Sequence, residues 1–376
     1  MKKVSVIIPA YNQSHYLGEA IQSVLDQSYT ELEIFVVDDG STDDTPQVAQ
    51  SFGDRRIHYL YQENRGLSAA RNTGIRNSNG EYLSFLDSDD KFLPDKLAIL
   101  VDELESHPEI CLAAGQAILI DENGQSIGKP FDKPIPSDLR KLLIGNPLHV
   151  GSVILRRDCQ ERVGYFDEGL RSYEDWDMWL RLAKAGFQMR WVPRPVSYYR
   201  FHTAQMTRIG SQMTKATFAV LDHVFDDPNL PESWEVLRPQ AYSSAYLRAA
   251  AQAYLAKDYQ QAREDLRQAV ALNPELLTGD AHHLADHFLA WTDLPKVADP
   301  LIFLEDIFTN LPEEAAVLRR HRRQHLGSAA IQIAFGSYMS GDYRRTRSAV
   351  LYAIKNKPQW IMNRGVLSIL MRSSFR

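Results

Sequence analysis

Apolar residues recur with two alternating spacings over the first 90 residues of the chain. Short runs that are rich in β-branched and aromatic residues, and so typical of buried strands, occupy Val4–Ile8, 34–37, 57–61 and 82–86. Between these runs, apolar residues follow a helical spacing from Tyr16 to Leu25 and from Leu67 to Ile75. The alternation predicts a sheet of parallel strands with helices on both faces.

Polar residues follow three of the predicted strands at the point where each strand ends. Tyr11-Asn12 follows the first strand, Asp38-Asp39 the second and Asp87 to Asp90 the fourth. Because ligands of such sheets bind beyond the carboxyl ends of the strands, these three clusters are candidates for one shared site.

The segment EYLSFLDSDDKFLPDKL (81–97) places Asp87, Asp89 and Asp90 within four residues. Carboxylates this close repel each other, and Mg²⁺ or Mn²⁺ would relieve the repulsion because these ions take oxygen ligands. Such an ion would also bind a diphosphate. The alternative is structural, because Asp89 or Asp90 would also suit the N-cap of a helix that begins near Leu93-Pro94.

Long helical patterns rich in Ala and Leu replace this alternation from about residue 212. Two segments, 254–276 and 338–360, align without gaps at an offset of 84 residues. Each resembles the second half of a tetratricopeptide-type helical hairpin, with a proline near its end. The sequence therefore predicts two domains, an α/β domain at 1–211 and a helical domain of hairpins at 212–376.

The composition excludes several classes of protein. Hydrophobic residues at 44% and charged residues at 24% are globular values, and a net charge of −6 argues against nucleic acid as a partner. Two cysteines, Cys111 and Cys159, fit a reducing compartment. The apolar run that follows Lys2 and Lys3 is too short for a signal peptide, and no run of about 18 apolar residues occurs. We expect a cytoplasmic protein, with peripheral attachment to the inner face of the membrane left open.

Ordered motifs over roughly residues 3 to 205 carry a family resemblance. VSVIIPAYNQSHYLGEAIQSVLDQSY, EIFVVDDGSTDDT, NRGLSAARNTGI, YLSFLDSDD, VGYFDEGLRSYEDWDMWLRLAKAG and YYRFH resemble the family 2 glycosyltransferases of GT-A fold. The resemblance implies a Rossmann-like mixed sheet with helices on both faces, followed here by the helical appendage. It also implies an inverting enzyme of the Asp-x-Asp type.

The resemblance implies a role for each strand-end cluster in binding a nucleotide sugar. Pro9, Ala10, Tyr11 and Asn12 match the loop that passes along the nucleotide base, and Asp39 matches the carboxylate that accepts hydrogen bonds from the base. The preceding Asp38 has a plainer reading, in which it only terminates the strand.

The Asp-x-Asp motif is assigned to the ribose and the metal by the same resemblance. Asp87 faces the ribose side and counts as a further metal ligand, Ser88 belongs to the nucleotide side, and Asp89 holds Mn²⁺ or Mg²⁺. Asp90 is the alternative ligand. A histidine at the position of His202 adds a ligand in many GT-A enzymes, and neutral imidazole suits that role.

Two further residues are weighed against plainer readings. Arg71 matches an arginine near the nucleotide, where its bidentate fork would suit phosphate, and the alternative is an exposed helix residue. His149 in NPLHVGSVILRR is expected to be an ordinary surface or core histidine.

The motif RSYEDWDMWLRL is expected to hold the catalytic base. Its Glu-Asp pair falls on Glu174 and Asp175, and Asp175 would take the proton of the acceptor hydroxyl. The alternative is a capping box, because Ser172 and Asp175 have the spacing of one at a helix N-terminus. Trp176 is expected to pack, with stacking on an acceptor sugar as the alternative.

The function expected is that of an inverting, metal-dependent glycosyltransferase of the hexosyltransferase type, working in polysaccharide or glycoconjugate synthesis. The donor is expected to be a nucleotide-diphosphate sugar, most readily a UDP-sugar, and the acceptor a saccharide, a lipid-linked group or a protein. One alternative is a non-catalytic interaction protein with a degenerate transferase domain, and another is a sugar-phosphate nucleotidyltransferase. The helical domain would bind a partner, the acceptor or a second copy as a homodimer. Its arginines Arg319, Arg320, Arg322 and Arg323 are expected to be solvated surface residues. The alternative is that these arginines, or the apolar and basic tail RGVLSILMRSSFR, dock on anionic lipid.

Overall fold

The structure, a computed structural model, describes residues 2–127, 130–202, 210–294 and 296–374. Two compact units divide the chain, Met1–Leu237 and Arg238–Arg376. The last part of the family resemblance, 203–205, lies outside the described residues, as do the last two residues of the segment expected to contact lipid.

One sheet forms the centre of the first unit. Among the described residues its eight strands are β1 (Val4–Ala10), β2 (Leu32–Asp38), β3 (Ile57–Tyr61), β4 (Tyr82–Phe85), β5 (Lys91–Phe92), β6 (Ile110–Ile120), β7 (Val153–Arg156) and β8 (Gln188–Arg200). The strand order is β3-β2-β1-β4-β7-β6-β8-β5. The pairs that join β3, β2, β1 and β4 are parallel, whereas β7 runs antiparallel to β4 and to β6. The expected mixed sheet is therefore confirmed.

Helices pack on both faces of this sheet. The helices of the first unit are α1 (Ser14–Leu25), α2 (Thr45–Gln50), α3 (Leu67–Asn77), α4 (Lys96–Ser106), α5 (Arg157–Val163), α6 (Glu174–Lys184), α7 (Gly210–Phe225) and α8 (Glu232–Glu235). Val6 and Ile8 of β1 share a buried cluster with apolar residues of α1 and α4. The intervening Ile7 packs on α3, so closely that a Cβ on Gly74 would lie 2.5 Å from it. The side-chain period of two thus distributes β1 between both layers.

Pro9 lies inside β1, although the sequence pattern ends the strand before it. Pairing between β1 and β4 stops at Ile7 and Phe85, and Leu86 N donates to Ile7 O on that side. Because backbone groups alternate between neighbouring strands, residue 9 faces the side where the β4 ladder has already ended. Its missing N–H therefore costs no hydrogen bond, which is where a strand tolerates proline.

The second unit is helical. Its helices are α9 (Arg238–Leu255), α10 (Tyr259–Leu272), α11 (His282–Trp291), α12 (Pro300–Thr309), α13 (Ala316–Arg320), α14 (Arg322–Met339), α15 (Tyr343–Asn356) and α16 (Arg364–Ser374). The two echoed segments lie in the hairpins α9–α10 and α14–α15, where each covers the end of the first helix, the whole second helix and the start of a short 3₁₀ helix that begins with proline.

The two hairpins repeat each other in backbone detail. Asp258 caps α10 with φ −83° and ψ 78°, and Asp342 caps α15 with φ −81° and ψ 76°. Each carboxylate accepts a hydrogen bond from the backbone N–H three residues later. The preceding residues, Lys257 and Gly341, both have positive φ. The sequence echo is therefore also a structural echo, while its kinship with tetratricopeptide repeats stays a prediction.

The division between the units lies after Leu237, beyond the expected boundary at 211/212. The helical pattern of the sequence begins near residue 212 because α7 is a helix, but α7 belongs to the first unit, which ends at Leu237. Gln212 of α7 donates to Ser172 Oγ at 2.9 Å, and Lys184 of α6 pairs with Asp227 at 2.5 Å just after α7. Within the described ranges no helix is both long and apolar enough to span a bilayer.

Candidate active site

The loops that follow β1 and β2 are tied to each other by hydrogen bonds. Asn12 has a left-handed backbone (φ 52°), which asparagine tolerates better than most residues. Its N–H donates to Ser41 Oγ at 3.0 Å, and its Oδ1 accepts from Thr42 N at 2.8 Å. Ala10 O, at the end of β1, accepts from Asp39 N at 2.9 Å. The loop expected to pass along the base is thus held in one conformation, and its Tyr11 is about half exposed.

Asp38 is fully buried at the end of β2. Its Oδ1 accepts from Ser41 N at 2.8 Å, and its Oδ2 accepts from the hydroxyl of Tyr59 at 2.7 Å. The contact with Asp38 and the burial of the phenol raise the pKa of Tyr59 well above its ordinary value, with burial as the larger cause. Asp38 therefore terminates its strand and supports the neighbouring loop.

Asp39 organises the segment that precedes α3. Its carboxylate accepts from Gln62 Nε2 at 2.6 Å, from Arg65 N at 2.9 Å and from Gly66 N at 2.8 Å. It is only 4% exposed. A carboxylate has about four acceptor sites, so three protein donors leave about one for another donor. Contact between Asp39 and a nucleotide base stays a prediction.

Arg71 joins two acidic motifs that lie far apart in the sequence. It is 1% exposed, so the alternative of an exposed helix residue is wrong. One terminal nitrogen donates to Asp87 Oδ1 at 2.6 Å, and the other donates to Glu174 Oε1. Burial lowers the pKa of Arg71, but the charges of Asp87 and Glu174 outweigh burial and raise it above its ordinary value. Both terminal nitrogens of the guanidinium thus donate to carboxylates of the protein. Direct contact of Arg71 with phosphate stays a prediction.

Asp89 and His202, two of the three expected metal ligands, meet beyond the carboxyl ends of β4 and β8. Asp89 Oδ2 lies 2.8 Å from His202 Nε2, and the Asp89 side chain keeps some exposure. The third expected ligand, Asp87, is held by Arg71 instead, and Ser88 beside it is buried. In the part of the chain that the structure describes, no three His, Cys, Asp or Glu side chains form a group that could hold a metal.

Asp90 is turned into the core. Its Oδ1 accepts from Arg200 N at 2.8 Å, and its Oδ2 lies 2.9 Å from His149 Nε2. Burial raises the pKa of Asp90 and lowers the pKa of His149 to about 4. The expectation of an ordinary core histidine at 149 agrees with this burial. These contacts do not favour Asp90 as the alternative metal ligand.

The helix that follows this cluster does not begin where the sequence places it. Neither Asp89 nor Asp90 caps it, because α4 begins at Lys96 with Asp95 as its N-cap residue. Residues 91–92 form the short strand β5 instead, which pairs with β8. The capping alternative for these two carboxylates is therefore wrong.

Asp175 lies in the first turn of α6, next to Glu174. Its Oδ1 accepts from Trp176 N at 2.7 Å, and its Oδ2 accepts from Asn146 Nδ2 at 3.0 Å. Burial, followed by the charge of Glu174, raises the pKa of Asp175 to about 7. A carboxylate with a pKa near the working pH suits a general base. The geometry also stabilises the helix N-terminus, since Asp175 accepts from a backbone N–H there.

The capping box is not formed as its spacing requires. Helix α6 begins at Glu174 with Tyr173 as the N-cap residue, one position later than a box starting at Ser172. Tyr173 has a left-handed backbone (φ 61°). Trp176 is buried and donates its Nε1–H to Leu142 O at 2.8 Å, so it packs and does not stack on a sugar.

Two residues at this edge were not singled out from the sequence. Asn146 contacts Asp175 from a loop 29 residues earlier, and no local pattern marks it. Arg200 is buried, donates Nε–H to Asp89 O at 2.7 Å and pairs with Glu19 at 3.0 Å. It stands in the motif YYRFH, which carried the resemblance, so its position two residues before His202 was the available signal.

Comparison with known proteins identifies the family. The sequence profile of Glycosyl transferase family 2 matches residues 5–157. TuaG of Bacillus subtilis (strain 168), a glycosyltransferase assigned to teichuronic acid biosynthesis, is 33% identical over 223 residues, 58% of this chain and 86% of TuaG. The chain belongs to glycosyl transferase family 2. An uncharacterised glycosyltransferase from Rickettsia conorii is 39% identical over 190 residues, 48% of this chain and 31% of its own length. The chain spans between 27% and 65% of the length of five such rickettsial glycosyltransferases.

Solved structures confirm the expected GT-A fold of this family 2 chain. TarS 1-349 of S. aureus in complex with UDP-GlcNAc has a TM-score of 0.52 at 17% identity, covering 95% of this chain and 92% of TarS. The mannosyltransferase PcManGT of Pyrobaculum calidifontis, in complex with GDP-Man and Mn²⁺, has a TM-score of 0.53 at 21% identity. That match covers 84% of this chain and 86% of PcManGT. At these identities the likeness concerns the fold.

Proposed function

We propose that this family 2 chain is an inverting glycosyltransferase, of the hexosyltransferase type, that moves a sugar from a nucleotide-diphosphate sugar to an acceptor hydroxyl. The observation that carries the proposal is the continuous link Asp87–Arg71–Glu174. It connects the Asp-x-Asp segment to the segment whose next residue, Asp175, has a pKa raised to about 7. This group of side chains therefore links the proposed donor site to the proposed catalytic base.

Asp89 and His202 are the residues proposed to hold a divalent cation. Their donor atoms, Oδ2 and Nε2, lie 2.8 Å apart. Two protein ligands are enough for Mg²⁺ or Mn²⁺, because such ions usually keep waters and bind substrate phosphates as well. When bound, the ion would neutralise the charge of the departing diphosphate. The complex of PcManGT with Mn²⁺ supports a divalent cation in a protein of this fold, and the choice between the two ions stays open.

The donor is proposed to lie along the loops after β1 and β2. Asn12 and its hydrogen bonds to Ser41 and Thr42 fix the shape of that loop. Asp39, with about one free acceptor site, faces the base in this proposal. TarS was solved with UDP-GlcNAc and with UDP, which supports a UDP-sugar, whereas PcManGT was solved with GDP-Man. Polysaccharide or glycoconjugate synthesis, with a saccharide, lipid-linked or protein acceptor, remains the proposed setting.

Asp175 is proposed as the general base. In a single displacement, the acceptor oxygen forms a bond to the anomeric carbon as the bond to the diphosphate oxygen breaks. The proton of the acceptor hydroxyl passes to the Asp175 carboxylate, and the anomeric configuration inverts. Asn146 holds one oxygen of Asp175 and the backbone of Trp176 holds the other, so the carboxylate keeps one orientation. Turnover should therefore require Asp175 in its ionised form.

Neither rival function gains support from a specific contact. A nucleotidyltransferase normally has a glycine-rich, basic loop after its first strand, and PAYNQSHY has neither feature. A degenerate domain has no reason to keep Asp39, Asp89 and Asp175 together. The division of labour, with chemistry in the first unit and partner or acceptor binding in the helical unit, is part of the proposal.

Hydrolysis of the donor by water tests the proposal without knowledge of the acceptor. The full chain is incubated with a panel of α-linked UDP-sugars and GDP-mannose, with Mn²⁺ or with a chelator, and the released nucleotide is measured. We expect release from at least one donor with Mn²⁺ only. The first-formed free sugar, followed by NMR before it mutarotates, should be the β-anomer. An α-anomer would contradict the inverting mechanism, and no release from any donor would contradict the transferase assignment.

A further inference from the structure

Residues 315–376 of the helical unit differ from the rest of the chain in charge. They contain twelve Lys and Arg and one acidic residue, Asp342, whereas the whole chain has 42 Lys and Arg, 48 Asp and Glu, and a net charge of −6. Asp342 is itself used within α15, because it accepts from Arg345 N at 2.9 Å and pairs with the Arg345 side chain at 3.6 Å. The segment is thus strongly basic in an acidic protein.

Much of this basic charge lies at the surface. Arg322 pairs with Glu305 of α12, and Arg347 donates to Ser373 O. Six further exposed arginines form no ion pair within the described ranges; they are Arg319, which donates to Leu311 O, and Arg320, Arg323, Arg344, Arg364 and Arg372. A concentration of unpaired positive charge attracts an anionic partner.

Exposed apolar side chains concentrate in the same segment. Six of the twelve large apolar side chains that are exposed in the described part of the chain are Phe335, Met339, Leu351, Ile361, Met362 and Met371. Met339 and Met362 are 85% and 82% exposed, the highest values of the twelve. Single exposed apolar residues are normal, but a concentration of them beside basic residues marks an interaction surface.

Four of these side chains lie on α14 and in the turn that precedes α16. Phe335 and Met339 are one turn apart on α14, and Phe335 Cζ lies 3.6 Å from the place of a Cβ on Gly365. Ile361 and Met362 end the 3₁₀ turn Pro358–Met362, which precedes α16 and contains no buried residue. We name this surface, consisting of Phe335, Met339, Ile361, Met362 and Arg364, the apolar-basic tip.

We propose that the apolar-basic tip docks on an anionic phospholipid surface. Flexible methionines and a protruding isoleucine can enter the boundary between headgroups and acyl chains, while arginines are attracted by the headgroup charge. Nucleic acid would also be attracted by the positive charge, but it offers no apolar phase in which the methionine and isoleucine side chains could be buried. The charge asymmetry also orients the docking, because the remaining residues carry net negative charge and are repelled by the same surface. This inference goes beyond the proposed transferase activity and does not depend on it.

Co-sedimentation with vesicles tests the proposal on the full chain. Vesicles of phosphatidylcholine alone are compared with vesicles that contain about one third phosphatidylglycerol. Two double variants remove the features separately: Met339→Ser with Met362→Ser changes the apolar side chains of the tip, and Arg364→Glu with Arg372→Glu reverses the charge of the tip and of the last turn of α16. Their matched controls are Ile302→Ser, an apolar side chain 66% exposed on α12, and Arg55→Glu, an exposed arginine of the first unit.

We expect binding to the anionic vesicles only, weakened by salt, and a loss of about tenfold or more in either double variant, since each basic residue near an anionic surface contributes substantially. The controls should bind like the parent protein. Equal binding to both kinds of vesicle, no binding, or unchanged binding in either double variant would overturn the proposal. A dimer that dissociates in the methionine variant without any lipid binding would assign the surface to a second copy, and would overturn it as well.

Discussion

The two units use charged side chains in opposite ways. In the first unit the side chains of Arg71 and Arg200 are buried and join segments that lie more than 100 residues apart, through Glu174 and Glu19. In the helical unit the ion pairs Arg322–Glu305 and Arg267–Glu314 lie at the surface and join residues 17 and 47 positions apart. Buried charges demand exact partners, whereas exposed charges tolerate change. Buried ion pairs therefore mark the unit with the proposed active site, and exposed charges mark the unit with the proposed docking surface.

Removal of Arg71 should have the largest effect on stability. Arg71→Ala leaves Glu174 and Asp87 without their counter-charge, and breaking a buried ion pair from one side costs about 3–5 kcal/mol. The matched change in the helical unit, Arg322→Ala, breaks an exposed pair and should cost about 1 kcal/mol or less. Urea unfolding of both variants, followed by circular dichroism, measures the contrast. An equal loss of unfolding free energy in the two variants would contradict this contrast between the units.

Asp175→Asn should leave the fold and donor binding intact but lower turnover by about 10²-fold or more, the scale of general-base catalysis. Asparagine can still accept a hydrogen bond from Trp176 N, so the helix start is preserved. The exposed Asp102→Asn on α4 serves as the control and should turn over like the parent protein. If Asp175→Asn keeps near-normal turnover, Asp175 has only a structural role.

The two echoed caps should be equivalent. Asp258→Ala and Asp342→Ala each remove one side-chain cap, which costs about 1 kcal/mol, and the double variant should show the sum because the hairpins are separate. Asp286→Ala, an exposed change within α11, should cost nothing, since alanine is the better helix former. Thermal unfolding measures all four proteins. A large difference between the two caps would show that the structural echo is not an energetic one.

The pH dependence of turnover gives the smallest and most specific effect. Because burial raises the pKa of Asp175 to about 7, turnover should rise as pH increases through this value and level off above it, where the carboxylate is ionised. Asn146 donates to that carboxylate and lowers its pKa. Asn146→Ala should therefore move the midpoint to higher pH, with the larger loss at pH ~6 than at pH ~8.5.

The control is a variant in which the side chain of an exposed asparagine in another loop is truncated. Asn123→Ala should leave the midpoint unchanged. An unchanged midpoint in Asn146→Ala would contradict the role of Asn146, and a profile without a midpoint near 7 would contradict the assignment of Asp175.

Local patterns were sufficient where local contacts decide the structure. The strand run of β1, the helical spacing of α1 and the 84-residue echo each depend on neighbours in sequence, and each was found in its expected place. The strand-end clusters were also predictable, because parallel strands place their carboxyl ends at one edge.

Partners that are distant in sequence could not be predicted. Nothing near Arg71 in the sequence indicates that Glu174, 103 residues later, accepts a hydrogen bond from one of its two terminal nitrogens. The same holds for Asn146 and Asp175, and for His149 and Asp90. The start of α4 was misplaced for a related reason, because residues 91–92 pair with β8, which lies about 100 residues further along. Tertiary pairing in these places outweighs the local propensity for a helix cap.

Calorimetric titration of UDP, with and without Mn²⁺, tests the proposed donor site most directly. The parent protein and Asp175→Asn should bind UDP with Mn²⁺ and lose most of that affinity with a chelator. Asp89→Ala should lose the Mn²⁺-dependent binding while it stays folded, because removal of one carboxylate also relieves repulsion within the cluster. Unchanged Mn²⁺-dependent affinity for UDP in Asp89→Ala would contradict the assignment of the metal and the donor to this edge of the sheet.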